Sequence, residues 1–188
     1  MIDPDPIEQK TDEELAREAR AGLPRSFEEL ALRYKRRLFV YFRPRLGSDQ
    51  DAEDMVQETF LKLYRNLHNY DPALRFSTWL YTSANRLAIS SYRKKRIAAG
   101  RLGAEAAGYL ADPTVGAAGE AGTAGLWDAA RALGGNQFRA LWLRYGEDMT
   151  VEEIAGVFGR SRLAVRLLLH RARKNLMNRQ GVKRCSAK

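Results

Sequence analysis

Residues 48–96 read SDQDAEDMVQETFLKLYRNLHNYDPALRFSTWLYTSANRLAISSYRKKR, and this stretch changes chemical character twice. It opens with carboxylates, Asp51, Glu53, Asp54 and Glu58, interleaved with apolar residues at three- and four-residue steps. That spacing predicts an amphipathic helix with Ala52, Met55, Val56, Phe60, Leu63 and Leu67 facing inward, capped by Ser48 or Asp49. Asn69-Tyr70-Asp71-Pro72 is turn chemistry. A further helix follows from about Ser77 to Arg96, burying Leu80, Ala84, Leu87 and Ile89 and ending on a cationic run.

The rest of the first 96 residues is also helical in pattern. Thr11-Asp12-Glu13-Glu14 and Ser26-Phe27-Glu28-Glu29 each read as a capping box. The second helix carries Phe27, Leu30, Tyr34, Leu38 and Tyr41 on one face and stops at Gly47. Four helices with short connections predict a compact bundle over 11–96, behind an acidic tail (1–10). Residues 97–125, rich in Ala and Gly with little periodicity, read as a flexible linker and a domain boundary. A second helical domain is expected over 126–180, followed by a basic tail (181–188). Its helices are Leu126–Leu133, Gln137–Tyr145 and Val151–Phe158, the last opened by a capping box at Thr150-Val151-Glu152-Glu153, and a long one running to about Asn178. Ala155 at a helix crossing, a turn at Gly159-Arg160-Ser161, and Ile154, Phe158, Val165 and Leu168 inside make the last two a helix–turn–helix. The fold class is therefore all-α, two small helical domains joined by a linker.

Composition bounds the function. The net charge of +9 is uneven: Asp3, Asp5, Glu8, Asp12, Glu13 and Glu14 dominate the start, whereas every charged residue from Arg160 to Lys188 is Lys or Arg. Such polarity points to a polyanion at one end. The only cysteine, Cys185, excludes an internal disulfide framework and fits a reducing compartment. No apolar run approaches the roughly 20 residues that span a bilayer, and the acidic start lacks the apolar core of a secretory signal. A cytoplasmic location without membrane insertion is expected. Glycine-rich phosphate loops, CxxC, HExxH and nucleophile elbows are missing from the sequence, and His68 and His170 fall in different domains. Neither catalysis nor a cofactor is expected.

Two surfaces remain to be assigned. Asp51, Asp54 and Glu58 share one helical face, which suits a helix-dipole complement, a docking face for a basic partner, or a hard-cation site, although such sites usually draw ligands from loops or several elements. Among the aromatics, Tyr64, Tyr70, Phe76, Trp79, Tyr81 and Tyr92, a tryptophan at helical spacing is ordinarily core. Tyr70 and Phe76, by the turn, are less easily buried. With Arg75, Arg86, Arg93, Lys94, Lys95 and Arg96 they would suit a single strand, where rings stack on bases for about 1–3 kcal/mol each. In the second domain Arg162, Arg166, Arg171 and Arg173 can neutralise phosphates and reach base edges in a major groove.

DAEDMVQETFLKLYRNLHNYDP with FSTWLYTSANRLAISSYRKKR closely resembles region 2 of the extracytoplasmic-function (group 4) sigma factors of the sigma-70 family. TVEEIAGVFGRSRLAVRLLLHRARKNL, residues 150–176, resembles their region 4. The resemblance implies a transcription initiation factor that directs core RNA polymerase to promoters. Asp51, Asp54, Gln57 and Glu58 would dock on the clamp of the largest subunit. Asn66, Tyr70, Arg75, Phe76, Trp79, Tyr81, Arg86, Tyr92 and Arg93 to Arg96 would melt and hold the −10 element. Region 4 would sit on the flap of the second-largest subunit and read the −35 element through Ser161, Arg162, Arg166, His170, Arg171 and Arg173. An anti-sigma partner is expected on the same ground. The rival readings are a helix–turn–helix regulator acting without polymerase and a metal-dependent nuclease using Asp51, Asp54 and Glu58.

The departures from the family pattern cluster in region 4. Where the family reads like GISxGTVKSRLHRAR, this chain has GRSRLAVRLLLHRAR, with Leu163, Leu167 and Leu168 in place of glycine, serine and arginine. Leu168 fits an interior position. Leu163 and Leu167 fall on the face expected to meet DNA, where leucine cannot hydrogen-bond a base edge but can touch a thymine methyl. That implies either unusual −35 specificity or a protein cover.

Overall fold

A computed structural model describes residues 7–46, 48–98 and 123–185. Those residues form eight α-helices and no strand. Most of the linker expected over 97–125, the start of the acidic tail and the last three residues lie outside the described residues, as does Gly47. The chain divides into two compact units, Met1–Arg43 with Ser48–Tyr92 and Pro44–Gly47 with Arg93–Lys188.

The first unit begins with α1 (Asp12–Arg20), closed by the capping box expected at Thr11 and Glu14. The hydrogen bonds from Thr11, backbone first, hold the Glu14 carboxyl below its ordinary pKa. The second expected capping box is absent, because α2 (Pro24–Leu46) already starts at Pro24 and places Ser26 inside the helix. Proline suits that first turn, where a missing N–H costs nothing. Ser26 is buried inside the helix and its hydroxyl donates to Glu18 at 2.6 Å. The stripe Phe27, Leu30, Tyr34, Leu38 and Tyr41 is buried as expected, joined by Phe42.

Two neighbours on α2 tie α1 down. The Arg33 guanidinium donates to Asp12 Oδ1 (2.9 Å), Glu29 Oε1 (2.7 Å) and the carbonyls of Glu8 and Lys10 (2.8 Å each). Ile7–Lys10, expected as tail, is thereby fastened to the unit. Tyr34 donates its hydroxyl to Asp12 Oδ2 at 2.5 Å, while its ring packs edge-on against Phe76 with centroids 5.5 Å apart.

Ser48 caps α3 (Asp49–Arg65) by accepting from the Asp51 N–H at 3.0 Å. The helix buries Ala52, Met55, Val56, Thr59 and Leu63, with Phe60 half-buried. A single 3₁₀ turn, Leu67–Asn69, leads through 70–75 to α4 (Phe76–Ala98), which buries Leu80, Ala84 and Leu87 while Ile89 stays half-buried. Helix α4 starts one residue before and ends two residues after its expected bounds, whereas α3 stops short of Leu67, which is buried in the 3₁₀ turn instead.

In the second unit the helices are α5 (Thr123–Arg131), α6 (Gly135–Leu141), α7 (Val151–Phe158) and α8 (Arg162–Cys185). The helix expected to run to Tyr145 ends at Leu141 and widens into a π-turn, Trp142–Gly146. Gly146 fits closely there, since a Cβ would meet the Trp142 ring at 3.1 Å and the ring would have to shift slightly. Trp127 packs edge-on against Trp142, and Phe138 stacks on it. The helix–turn–helix is present. Thr150 and Glu153 form the expected capping box, and Gly159 adopts the left-handed conformation (φ 61°) that lets the Arg160 N–H return to the Ala155 carbonyl at 2.9 Å. The interior differs from expectation. Phe158 and Leu168 are only half-buried, and α8 packs through Val165, Leu169 and Ala172 against α6 and α7. The buried positions run i, i+4, i+7 from Val165, so Leu169 rather than Leu168 faces inward.

The aromatic passage is the largest correction. Tyr70, Phe76 and Tyr81 are 1%, 0% and 0% exposed and belong to the core. Tyr70 meets Phe76 and Trp79 at centroid distances of 5.9 and 5.3 Å, and Tyr81 meets Tyr41 at 4.9 Å. Rings enclosed in this way offer no face to a base. Burial pushes the Tyr70 phenol up to about 12, with Glu13 adding to the effect. The folded state thus prefers neutral Tyr70. The stability this contributes is present below the ordinary value near 10 and is lost as pH rises from about 10 to about 12. Tyr70→Phe should cost about 1 kcal/mol at pH 7, from the lost hydrogen bond to the Leu74 carbonyl, and should reduce the loss of stability between pH 10 and about 12. Urea unfolding of both proteins at neutral and alkaline pH checks this; an identical alkaline loss in the two would contradict it.

Candidate docking and nucleic-acid interfaces

The outward side of α3 follows from its buried stripe. With Ala52, Met55, Val56, Thr59 and Leu63 turned inward, Asp54, Gln57 and Glu58 are exposed and Asp51 is half-buried. Asp54 Oδ1 accepts from the Gln50 amide at 3.0 Å, a light restraint that leaves the carboxylate at the surface. Beside this face lies an open groove of 390 Å³ between α2 and α3, lined by Leu32, Lys35, Arg36 and Phe39 on one side and Glu53, Val56 and Gln57 on the other. Leu32 is exposed, so the groove combines an apolar floor with charges of both signs at its edge. Among the described residues no three His, Cys, Asp or Glu side chains group as metal ligands. Nothing in the geometry of Asp51, Asp54 and Glu58 therefore favours the nuclease alternative.

The segment after α3 is built, not loose. Asp71 makes an Asx turn, accepting from the Ala73 N–H at 3.0 Å, and the Tyr70 hydroxyl donates to the Leu74 carbonyl at 2.7 Å. Helix α1 braces both ends of it: Arg20 donates to the Tyr70 carbonyl at 3.3 Å, and Glu13 Oε1 accepts the Phe76 N–H at 3.1 Å. Asp71 to Arg75 are consequently presented at the surface.

Of the residues expected to hold a strand, Asn66, Arg75, Arg86, Tyr92 and Arg93 are exposed, and Trp79 is half-buried at the rim of the aromatic core. Asn66 also ends α3, its amide donating to the Lys62 carbonyl at 2.8 Å. Lys94, Lys95 and Arg96 continue α4. Tyr70, Phe76 and Tyr81 are enclosed and form the wall behind the exposed ones. Leu74, an exposed apolar residue at the tip of the polar turn, was not singled out from sequence; its place between Pro72 and Arg75 was the available signal.

In the second unit Ser161 caps α8, its hydroxyl accepting from the Ala164 N–H at 3.2 Å. Arg162, Arg166, His170, Arg171 and Arg173 are all exposed along α8. Arg162 sits 3.5 Å from Glu152 of α7, and Arg173 reaches the Tyr145 hydroxyl at 3.5 Å. Leu163 and Leu167 are exposed among them. Arg160 points elsewhere: it is half-buried, and burial followed by the neighbouring Arg139 lowers its pKa. The buried Arg139, its guanidinium 5.3 Å from the Phe158 ring centre, and the buried Glu147 were not anticipated from sequence.

Comparison with known proteins agrees with this arrangement. Residues 30–97 match the family model "Sigma-70 region 2" and residues 125–176 match "Sigma-70, region 4". The RNA polymerase sigma factor CarQ of Myxococcus xanthus is 30% identical over 164 residues, covering 84% of this chain and 90% of CarQ. The ECF RNA polymerase sigma factor BldN of Streptomyces coelicolor is 29% identical over 168 residues, covering 87% of this chain but only 63% of BldN's own length. Among solved structures, CnrH in complex with the cytosolic domain of CnrY superposes with a TM-score of 0.62 at 25% identity, covering 91% of this chain and 97% of CnrH. With both regions matched in order, and with a relative at this identity covered over 90% of its length, the chain belongs to the sigma-70 family of RNA polymerase sigma factors.

Proposed function

We propose that this chain is a group 4 transcription initiation factor that binds core RNA polymerase and gives it promoter specificity, without catalytic activity of its own. The observation that carries the reading is the presence, in one chain and in family order, of region 2 with an outward carboxylate face and region 4 with an outward arginine face. The exposed Asp54, Gln57 and Glu58, with Asp51 beside them, form the docking face for the clamp of the largest polymerase subunit. Asn66, the turn Asp71 to Arg75, the Trp79 edge, Arg86, Tyr92 and the basic end of α4 receive the melted −10 element. The exposed side of α8 reads the −35 element, while the remainder of the second unit rests on the flap of the second-largest subunit. An anti-sigma protein holds the factor inactive in the cytoplasm until it is needed.

The division of labour has a physical logic. A strand-separating surface needs rigid supports, and the aromatic core with its α1 brace supplies them. A duplex reader needs cations spaced along a helix, and α8 supplies those. A regulator acting without polymerase would need only the second of these.

Two experiments separate the parts of the reading. Asp54→Lys with Glu58→Lys, both at exposed positions, should leave thermal unfolding unchanged and weaken association with purified core polymerase roughly 10- to 100-fold. Unchanged affinity would remove α3 as the docking face, and no binding by the wild-type chain would favour the stand-alone regulator. Arg162→Ala with Arg166→Ala should weaken promoter binding by the holoenzyme and lower the slope of log K against log salt by about 2, roughly one per lost phosphate contact. An unaltered slope would show that these arginines do not meet the DNA backbone.

A further inference from the structure

The outward face of α8 is apolar at its centre and cationic at its margins. Successive residues turn about 100° around a helix. Because Val165, Leu169 and Ala172 face inward, Leu163 and Leu167 stand on the opposite side, with Arg166 and Arg171 flanking them. The two leucines are 66% and 48% exposed, in the first turns of the second helix of a helix–turn–helix. In that motif the start of the second helix is the part that enters the major groove.

We propose that Leu163 and Leu167 are specificity-determining residues that read thymine C5-methyl groups in the −35 duplex, an inference that rests on the function proposed above. Leucine has neither donor nor acceptor, and the major groove offers one apolar group, the thymine methyl. The surroundings fit DNA rather than protein as the occupant. The flanking side chains are arginines, the helix carries no carboxylate, and from Arg160 onward every charge on the chain is positive. Such a rim attracts phosphates on both sides of a groove. Four residues of helix rise about 6 Å, comparable to two base-pair steps of about 3.4 Å each. The two leucines therefore contact thymines within two base pairs of each other, on either strand. Hydrogen bonds to neighbouring bases fall to His170, exposed on the same side.

The test uses holoenzyme reconstituted from core polymerase and the full chain. Duplexes randomised across the −35 region are selected by binding, and the selected sequence is then remade with deoxyuridine in place of thymidine there, which removes only the methyls. The expected result is enrichment of thymines within a two-base-pair window and a loss of affinity of about fourfold for each contacted methyl. Leu163→Ala with Leu167→Ala should bind the thymine and uracil duplexes equally. Leu163→Met with Leu167→Met, which keeps an apolar contact, should retain the difference. Equal binding of the two duplexes by the wild-type factor would overturn the proposal and favour a protein cover for this face, as would a thymine preference that survives in the double alanine variant. Failure of the holoenzyme to select any −35 sequence would instead strike the proposed function itself, and this inference with it.

Discussion

An α-helix with 3.6 residues per turn can turn only one stripe toward a small core, and the candidate functional surfaces of this chain are what remains on the other side. On α3 the inward stripe Ala52, Met55, Val56, Thr59 and Leu63 leaves the carboxylates facing out. On α8 the inward stripe Val165, Leu169 and Ala172 leaves leucines and arginines facing out. Neither outward face can be rotated away without exposing the apolar side, so packing in the core sets the direction of both surfaces.

Within the first unit, Tyr34 and Arg33 connect three elements that a helical stripe alone would not register. Tyr34 holds Asp12 of α1 through its hydroxyl and Phe76 of α4 through its ring, while Arg33 gathers Asp12, Glu29 and the chain before α1. Helix α1 in turn braces the segment between α3 and α4 through Glu13 and Arg20. The family match begins at residue 30, so α1 lies outside it, yet the exposed turn owes its position to that helix. Replacing Arg33 would leave the carboxylates of Asp12 and Glu29 partly buried beside lost donors, the situation in which a single deletion costs most.

Helical pattern and caps were legible in the sequence because they depend on local spacing. The capping boxes at Thr11 and Thr150, the Ser48 cap and the left-handed Gly159 are each determined by residues within a turn of each other. Ser26 misled because a distant acceptor, Glu18, and an earlier proline outcompeted the local box. The run Arg166-Leu167-Leu168-Leu169 offers three leucines to one inward position, and only packing against α6 and α7 selects Leu169. The candidate carboxylates and arginines were legible as candidates, since charge seeks the surface. The aromatics were not, because a tyrosine or phenylalanine near a turn suits a core or a binding face equally well until its neighbours are known. The buried Arg139 and Glu147 gave no local sign either, since a buried charge is a property of tertiary packing.

The central claim is that the chain redirects core RNA polymerase to particular promoters. The most direct test is run-off transcription by purified core enzyme on a pooled promoter library, with and without the chain. The account expects discrete RNA start sites that appear only when the chain is present, each preceded by shared sequence at −10 and −35. Transcription unchanged by the chain, while the chain alone binds duplex DNA, would contradict it.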